Sequence, residues 1–464
     1  MVCWRMRGSK MQFLFMYKKS LILLSVLLYA LPFFYPYYVW WLVFLFPVPL
    51  FYLALHKKLT CFDGYLWGVA SFALHLAGVV LGMANMAQGQ LIVRMLPGIA
   101  LILYEGLYGG VWFWCMGFMQ QILGIKQQSI ALLCVWTLGL WVYIYVIDQY
   151  CLWIFHRPEG YFLMHPLLPL VVHPHILRLL PLVGKHILTW LWCCVPASLT
   201  AVLIWKNKLS YVVFLISLIP WIASYYMPIN RLVVPMWLPR IASLPSVYPK
   251  GLPDAVAQTV ADDFKRIVYT NKKIDIIILP ESSFYTDAVF TQVGSLKQWS
   301  PYHIGKPLHI LVGSFGWCDS AYHNCMYYVA DGMVQTRFAK KHTMPVTECI
   351  PNWLSMPWLH TLYFSHMPPI VASDNIRPCI QIDANVRLVP YICSELFFQE
   401  WPDDVYTDVP ILSLTNDRWC GLCYVQDLLY LAARFKAIQW QRDVLYVSYT
   451  YARWCDRYGS EVAF

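Results

Sequence analysis

The sequence predicts a polytopic α-helical membrane domain joined to an α/β domain, and three observations carry that expectation. Of 464 residues, 59% are hydrophobic and only 13% charged, whereas a soluble domain carries about 25% charged residues. The long charge-free stretches crowd into the first half, while Asp, Glu, Lys and Arg return steadily after about Leu238. Beyond that point, short runs rich in Ile, Val, Leu and Tyr alternate with turn residues and a helical pattern. The expected division is a multi-span domain over 1–235 and an α/β domain over 236–464.

Apolar windows able to cross a hydrocarbon core, which takes about 20 helical residues, fall near 20–35, 37–55, 65–85, 95–119, 129–147, 186–205 and 209–227. The first two are shorter or broken by prolines, as in Phe46-Pro47-Val48-Pro49. Lys and Arg in short loops stay on the cytoplasmic side. Arg5, Arg7, Lys10, Lys18 and Lys19 precede the first span, Lys57 and Lys58 follow the second, Lys126 follows the fourth, and Lys206 and Lys208 follow the sixth. Seven spans from a cytoplasmic N-terminus deliver everything after Met227 to the outer face. The stretch from Asp148 to Lys185 opposes this rule, because it should be external yet contains Arg157, Arg178 and Lys185.

The basic, then apolar, N-terminus has the outline of a signal peptide. Further spans follow at once without a small-residue cleavage site, so the segment reads as a retained helix. The net charge of +9 is accounted for by loops near anionic headgroups and calls for no nucleic acid. Glu105 and His75 lie at membrane depth, where an ionisable group is a functional or pairing site; a structural hydrogen bond suits each. His165, His173 and His175 stand among prolines that suit an interfacial loop or re-entrant arm rather than a metal cage.

Fifteen cysteines are many for an exported domain, where oxidation pairs them. Cys115, Cys134, Cys193 and Cys194 fall in expected spans and suit packing as small apolar groups. Cys420 and Cys423 in "WCGLC" have metal or redox spacing, but zinc wants further ligands, and none is apparent; an incidental pair or a disulfide is expected. There is no dinucleotide or Walker-type glycine loop and no internal repeat.

In the distal half, strands are expected over "KIDIIILP" (273–280), "PLHILVGSF" (307–315), "CMYYVAD" (325–331), "RLVPYIC" (387–393), "DVPILSLT" (408–415) and "VLYVSYT" (444–450), with a helix over 425–443. Near-continuous apolar strands suit a sheet covered on both faces. "IIILPESSF" places Glu281 just beyond a strand, "RFAKKHTMPVTECIP" supplies Lys340, Lys341 and Glu348, and "YICSELFF" ends a strand at Cys393. Converging, these groups make a nucleophilic site: the carboxylate takes the thiol proton, the thiolate attacks a carbonyl, and the ammonium stabilises the oxyanion. Taken singly, Glu281 also suits a turn residue, Lys340 and Lys341 a solvated pair, and Cys393 core packing.

These three segments, in this order, resemble the nitrilase superfamily, and the multi-span first half resembles its membrane-embedded members, the apolipoprotein N-acyltransferases. The resemblance runs through "LPESSF", "AYHNCMYYVADGMV", "KKHTMPVTECIP", "ICSEL" and "LTNDRWCGLCYVQDLLYLAARFKAIQWQRDVLYVSYT", roughly residues 270–450. It implies an αββα sandwich with Glu281 as general base, Lys340 as oxyanion lysine and Cys393 as nucleophile. Lys340 is preferred to Lys341 because the family's lysine stands eight positions before the glutamate matched by Glu348. Glu348 and Glu395 match further functional glutamates, although both also suit hydrogen-bonding neighbouring loops.

The implied reaction is acyl transfer from a phospholipid through a Cys393 thioester to the N-terminal amine of a diacylglyceryl-cysteine lipoprotein, at the outer face of the bacterial inner membrane. It needs no cofactor or metal. A membrane-tethered amidohydrolase or a conjugation- or secretion-associated assembly protein are the other readings. The stretch 352–371, "NWLSMPWLHTLYFSHMPPIV", is expected to be a loop whose aromatics enter the membrane interface and gate acyl chains; a buried connection is the other possibility. The family's Tyr after the nucleophile is Ser394 here, its Phe-Gly before the second glutamate is Val346-Thr347, and its Thr-Gly-x-Ser segment is replaced by "TYARWCD". The resemblance also implies a final transmembrane helix, which the sequence does not reach by Phe464.

Overall fold

The computed structural model describes residues 2–56, 59–86, 90–150, 162–228, 234–243, 266, 273–284, 308–318, 321–331, 333–344, 348–349, 357–364, 369–373, 376–398 and 405–464. Contacts divide the chain into two compact units, Met1–Leu81 with Met95–Pro228, and Gly82–Arg94 with Ile229–Phe464.

The helical elements are α1 (Val2–Phe34), α2 (Pro36–Val39), α3 (Pro47–His56), α4 (Cys61–Met86), α5 (Leu91–Ile122), α6 (Ile130–Tyr150), α7 (Leu180–Trp205) and α8 (Lys208–Tyr226). Among the described residues, seven helical segments are long and apolar enough to cross a membrane: Tyr17–Phe34, Pro36–His56, Cys61–Asn85, Leu91–Ile122, Ile130–Gln149, Leu180–Trp205 and Lys208–Tyr226. The second is discontinuous, with a 3-10 turn over Trp40–Phe44 between α2 and α3, because Pro47 and Pro49 tolerate only the first turn of a new helix. Helices α4 and α5 cross closely through glycines. A Cβ on Gly68 would stand 2.9 Å from the Gly106 carbonyl oxygen, and one on Gly109 would stand 3.2 Å from Gly68 Cα, the small-residue packing that lets membrane helices approach.

Two of the basic residues that oppose the charge rule, Arg178 and Lys185, are occupied within the protein, while Arg157 lies outside the described residues. Lys185 lies buried in α7 with its Nζ 2.5 Å from Asp148 of α6, and Arg178 donates to the Met227 carbonyl. A cation with an internal partner is weakly available to headgroups, so these two weigh little in a loop-charge count. His165 is buried within the protein. Its Nδ1 accepts the Leu167 N–H at 3.2 Å, leaving Nε2 to face Thr189 Oγ1 at 3.3 Å. His75 donates to the Ser71 carbonyl and its ring packs on Tyr29 and Phe33. Glu105 departs from the expected pairing: it is buried, and its Oε2 has no hydrogen-bond partner among the described residues.

The second unit is built on two sheets. The first has the order β1-β2-β3-β4-β5, from β1 (Ile241–Ser243), β2 (Ile276–Phe284), β3 (His309–Cys318), β4 (Ala321–Ala330) and β5 (Met333–Ala339). The second has the order β11-β10-β9-β8-β7-β6, from β6 (Ile380–Gln381), β7 (Arg387–Ile392), β8 (Ile411–Leu414), β9 (Val444–Val447), β10 (Ala452–Cys455) and β11 (Glu461–Ala463). Strands β2 and β4 pack against β7, β8 and β9, so Ile276, Ile277, Ile278 and Leu279 meet a second apolar layer and are fully buried. That is why these strands read as continuous apolar runs rather than alternating ones. Among the described residues three helices accompany the sheets: α9 (Pro357–Phe364), α10 (Ser394–Phe398) and α11 (Cys423–Trp440).

Two expectations are corrected, and one that left two alternatives is narrowed to one. Helix α11 stops at Trp440 rather than 443, because Gln441 takes the left-handed conformation and caps it, its N–H meeting the Ala437 and Ile438 carbonyls. The stretch 352–371 is not wholly loop: Pro357 opens α9, which buries Leu359 and Leu362 and leaves Trp358 50% exposed; residues 352–356 and 365–368 lie outside the described residues. Cys420 and Cys423 form no disulfide; both are free thiols, Cys423 as the first residue of α11.

Candidate functional site

The position of Glu281 follows from an irregularity in β2. This strand pairs regularly with β3 as far as Leu279 opposite Val312, then slips before Phe284 meets Ser314. The extra residues bulge over Gly313, where a Cβ would stand 2.5 Å from Glu281 Cα and 2.8 Å from the Pro280 carbonyl oxygen. Only glycine lets the backbones come this close. Ser282, with φ of 58°, completes the kink, and Ser283 Oγ closes it by donating to the Pro280 carbonyl at 2.7 Å. Glu281 therefore sits inside the irregular end of β2 rather than beyond it, and is only 3% exposed.

Lys340 directly follows β5 and is fully buried. Its backbone is held on both sides: its N–H donates to the Asn324 carbonyl at 2.8 Å, and its carbonyl accepts the Ser373 N–H at 2.9 Å. The ammonium lies 2.7 Å from Glu348 Oε1 and 3.4 Å from Glu281 Oε1. Asn324, on the neighbouring strand β4, donates Nδ2 to both carboxylates, at 2.5 Å to Glu281 and 2.9 Å to Glu348. The other Glu281 oxygen accepts the Asn416 N–H at 2.8 Å, and the other Glu348 oxygen accepts the Met344 N–H at 2.5 Å.

Cys393 follows β7 and precedes α10. Its N–H continues the ladder to the Leu414 carbonyl at 2.8 Å, and its φ of 48° turns the chain sharply. A left-handed cysteine costs conformational energy and persists only where neighbours hold it. The side chain is 5% exposed, and Glu281, Lys340 and Glu348 lie near enough to act on its charge. The structure thus brings Glu281, Lys340, Glu348 and Cys393, drawn from four segments, into one buried cluster.

Two carboxylates, one thiol and one ammonium cannot all be electrically satisfied. Burial raises the pKa of Glu281, and Glu348 adds to that, outweighing the opposite pull of Lys340, Asn324 and the Asn416 N–H. Burial alone would lower Lys340, but Glu348, Glu281 and Cys393 together raise it, so it stays an ammonium. Burial and Glu281 push the Cys393 thiol well up, against the pull of Lys340. Negative charge is thus disfavoured on both Glu281 and Cys393, beside the one cation that supports it. A raised carboxylate pKa makes a better-matched base, and a fixed cation stabilises negative charge that appears only during reaction.

Glu395 lies apart from this cluster. It is fully buried, and its Oε2 accepts the Arg377 guanidinium at 2.9 Å and the Ile392 N–H at 2.7 Å. Its Oε1 accepts the Lys341 and His342 N–H groups at 2.6 and 3.3 Å. Arg377 stacks 3.8 Å above the Tyr391 ring and donates to the Pro390 carbonyl at 3.0 Å. The partners hold Glu395 below the ordinary carboxylate range, overcoming burial and led by the Arg377 charge. It ties the turn carrying Cys393 to the segment carrying Lys340. Lys341 takes part through its backbone N–H, whereas its neighbour Lys340 puts its ammonium into the cluster.

Sequence reasoning did not single out Asn324, Arg377 or Gly313. Asn324 sits within "AYHNCMYY" with no neighbouring charge to mark it, and a lone arginine or strand glycine has many ordinary uses. Among the described residues no group of three or more His, Cys, Asp or Glu is arranged to hold a metal.

No family model matches the sequence, and no curated protein matches it. Solved structures do. The chain is similar to a carbon-nitrogen hydrolase from Helicobacter pylori G27, at 10% identity and a TM-score of 0.30 over 44% of this chain and 79% of that one. It is also similar to Saccharomyces cerevisiae Nit3, a member of branch 10 of the nitrilase superfamily, at 15% identity and a TM-score of 0.31 over 44% and 78%. A CN-hydrolase superfamily protein from Xanthomonas campestris stands at 16% identity and a TM-score of 0.30 over 45% and 80%. The neighbours are carbon-nitrogen hydrolases of the nitrilase superfamily; the roles assigned below rest on this chain's own residues.

Proposed function

We propose that the chain is a membrane-embedded acyltransferase that carries a fatty acyl group on Cys393, from a phospholipid to the N-terminal amine of a diacylglyceryl-cysteine lipoprotein. The observation that carries this reading is the cluster of Cys393, Glu281 and Lys340 in a chain with seven helices long and apolar enough to cross a membrane. Both substrates are lipids, so a thiol enzyme acting on them gains from spans that keep it at the bilayer. In this reading the helices cross a bacterial inner membrane and the α/β unit works at its outer face. Trp358 of α9, exposed beside the buried Leu359, is an aromatic anchor for that interface.

In the first half-reaction Glu281 takes the thiol proton and the sulfur attacks the ester carbonyl carbon of the phospholipid. The oxyanion forms against Lys340. Collapse breaks the carbon–oxygen ester bond, and the departing alkoxide takes the proton from Glu281, leaving a thioester and a lysophospholipid. In the second, the lipoprotein amine attacks the thioester carbonyl, Glu281 removes its extra proton, and the thiolate leaves and is reprotonated as the amide forms. Glu348 neutralises Lys340 in the resting state and fixes its ammonium; Glu395 holds the two turns in register. The chemistry draws on no cofactor.

The test is to incubate full-length protein in phospholipid vesicles carrying a labelled acyl chain, with and without a diacylated lipopeptide. Labelled triacylated lipopeptide with wild type, and none with Cys393→Ala, supports the reading. Label released only as free fatty acid makes the protein a lipid-directed hydrolase. No transfer and no release in the presence of both substrates sinks both enzyme readings.

A further inference from the structure

The amide of Asn324 is fully buried, and the two hydrogens of its Nδ2 are committed to two different carboxylates, Glu281 at 2.5 Å and Glu348 at 2.9 Å. Its own Oδ1 has no hydrogen-bond partner among the described residues. An amide arranged only for packing would turn its oxygen toward a donor, since leaving a buried acceptor unmade is costly. Here it cannot turn, because reversal would set Oδ1 against two carboxylates. The same residue's carbonyl accepts the Lys340 N–H at 2.8 Å, so a single residue of β4 contacts Glu281, Glu348 and Lys340.

We infer that Asn324 is a positioning residue: it holds Glu281 ionised and aimed at Cys393 by donating to it, and the shared donation to Glu348 keeps the two carboxylates apart on one ammonium. This deepens the proposed function and rests on that reading of Glu281 as the base. The groups facing Glu281 are Lys340 beyond β5, Glu348 in the segment after it, Cys393 beyond β7, Asn324 on β4 and the Asn416 N–H beyond β8. Of the two neutral donors, Asn324 alone offers a side chain that can be changed without touching the backbone. Removing its N–H leaves Glu281 with Lys340 and Asn416, while burial and Glu348 continue to favour the protonated form. The base is then occupied by a proton at pH values where the wild type is free to act.

The test reads Cys393 without using either lipid, so it separates the inference from the acyl-transfer reading. Full-length protein in vesicles is alkylated with iodoacetamide across pH, and the Cys393 peptide is followed by mass spectrometry. Wild type gives a rate that falls on the acid side as Glu281 gains its proton. Asn324→Ala moves that acid limb upward, slowing alkylation about tenfold at a fixed pH on the limb, which corresponds to about 1.4 kcal/mol. Asn324→Asp, with nearly the same shape and a third carboxylate, moves it further, and Asn324→Ser, which keeps a donor, moves it least. A merely structural residue would change thermal stability and leave the limb in place. Coincident limbs in the variants overturn the inference, as does the failure of all three to fold, which would make Asn324 a core residue only. Should the limb move while no acyl group ever reaches Cys393 from phospholipid, the inference stands and the proposed substrate falls.

Discussion

Arg377 and Lys340 are both fully buried cations of the α/β unit, and they are satisfied in different ways. Arg377 faces one carboxylate, and that carboxylate, Glu395, accepts four donors in all. Charges balance and every Glu395 oxygen is used, so the arrangement is a clamp. Lys340 faces two carboxylates and a thiol, which leaves an excess of groups wanting negative charge and only one cation to support it. The pKa directions register the difference: Glu395 is lowered, whereas Glu281 and Cys393 are raised. A charge-balanced ion pair resists change, and an over-subscribed one can pass a proton. The two centres share the loop Lys340-Lys341-His342, so the clamp immobilises what the reactive cluster must keep in place.

The largest effects expected are on rate and fall on the unbalanced centre. Glu281→Gln, by removing the base, lowers acyl transfer by about 10²–10⁴-fold, and Lys340→Met, by removing the oxyanion partner, lowers it by about 10²–10³-fold. Glu281→Gln also tests the charge argument, because it leaves Lys340 and Glu348 as a matched pair. Its unfolding free energy stays within about 1 kcal/mol of wild type, the usual range of a substitution that breaks no needed pair. A large loss in chemical denaturation would show that Glu281 is structural.

Glu395→Gln should do the reverse. It breaks a buried pair and leaves Arg377 without its counter-charge, costing about 3–5 kcal/mol of stability. If Glu395→Gln were as stable as wild type, the clamp would lose its meaning. Gly313→Ala is expected to cost stability and rate together: the new methyl must push back the Glu281 backbone, at about 1–3 kcal/mol, and a displaced base costs about 10²-fold. Unchanged turnover in Gly313→Ala would mean that the bulge in β2 does not aim the carboxylate.

The smallest effect is on pH dependence, and the two glutamates pull in opposite directions. Glu395 is lowered in the folded state, so its stability contribution is present above the ordinary carboxylate range and is lost as pH falls through its depressed folded value. Glu281 is raised, so the folded state holds its proton more tightly than the unfolded chain. Its ionisation therefore costs stability as pH rises through the ordinary range toward the raised folded value. Denaturation of Glu281→Gln against wild type across pH should show the mutant gaining relative stability as pH rises from acid to neutral, and Glu395→Gln losing it over the same interval. The same sign for both would contradict the comparison.

Much of this architecture is legible in the sequence because burial on both sides leaves a simple mark. Ile276 to Leu279 must be apolar when two layers enclose them, and the spans must be apolar for about 20 residues. Edges are harder: β5, "MVQTRFA", mixes Gln, Thr and Arg with apolar residues, and β6 and β11 are only two and three residues long. Lys185 also shows the limit of local reading, since nothing in its own segment says that Asp148 will neutralise it. At the site, Glu281, Lys340, Glu348 and Cys393 are conspicuous as chemistry-bearing types at strand ends. Asn324 and Gly313 are not, because their importance lies in what crosses them from other strands. Glu395 looks like a partner of Cys393 by spacing, two residues on, yet the turn at Cys393 sends the carboxylate toward Arg377 instead.

The central claim is that the Cys393 sulfur accepts the acyl group, and the covalent intermediate tests it most directly. Full-length protein held in vesicles of phospholipid with a labelled acyl chain, quenched in acid and digested, should carry a hydroxylamine-labile label on the Cys393 peptide. That label should disappear when diacylated lipopeptide is added before the quench. Label found on another residue, or label that persists in Cys393→Ala, would contradict the account.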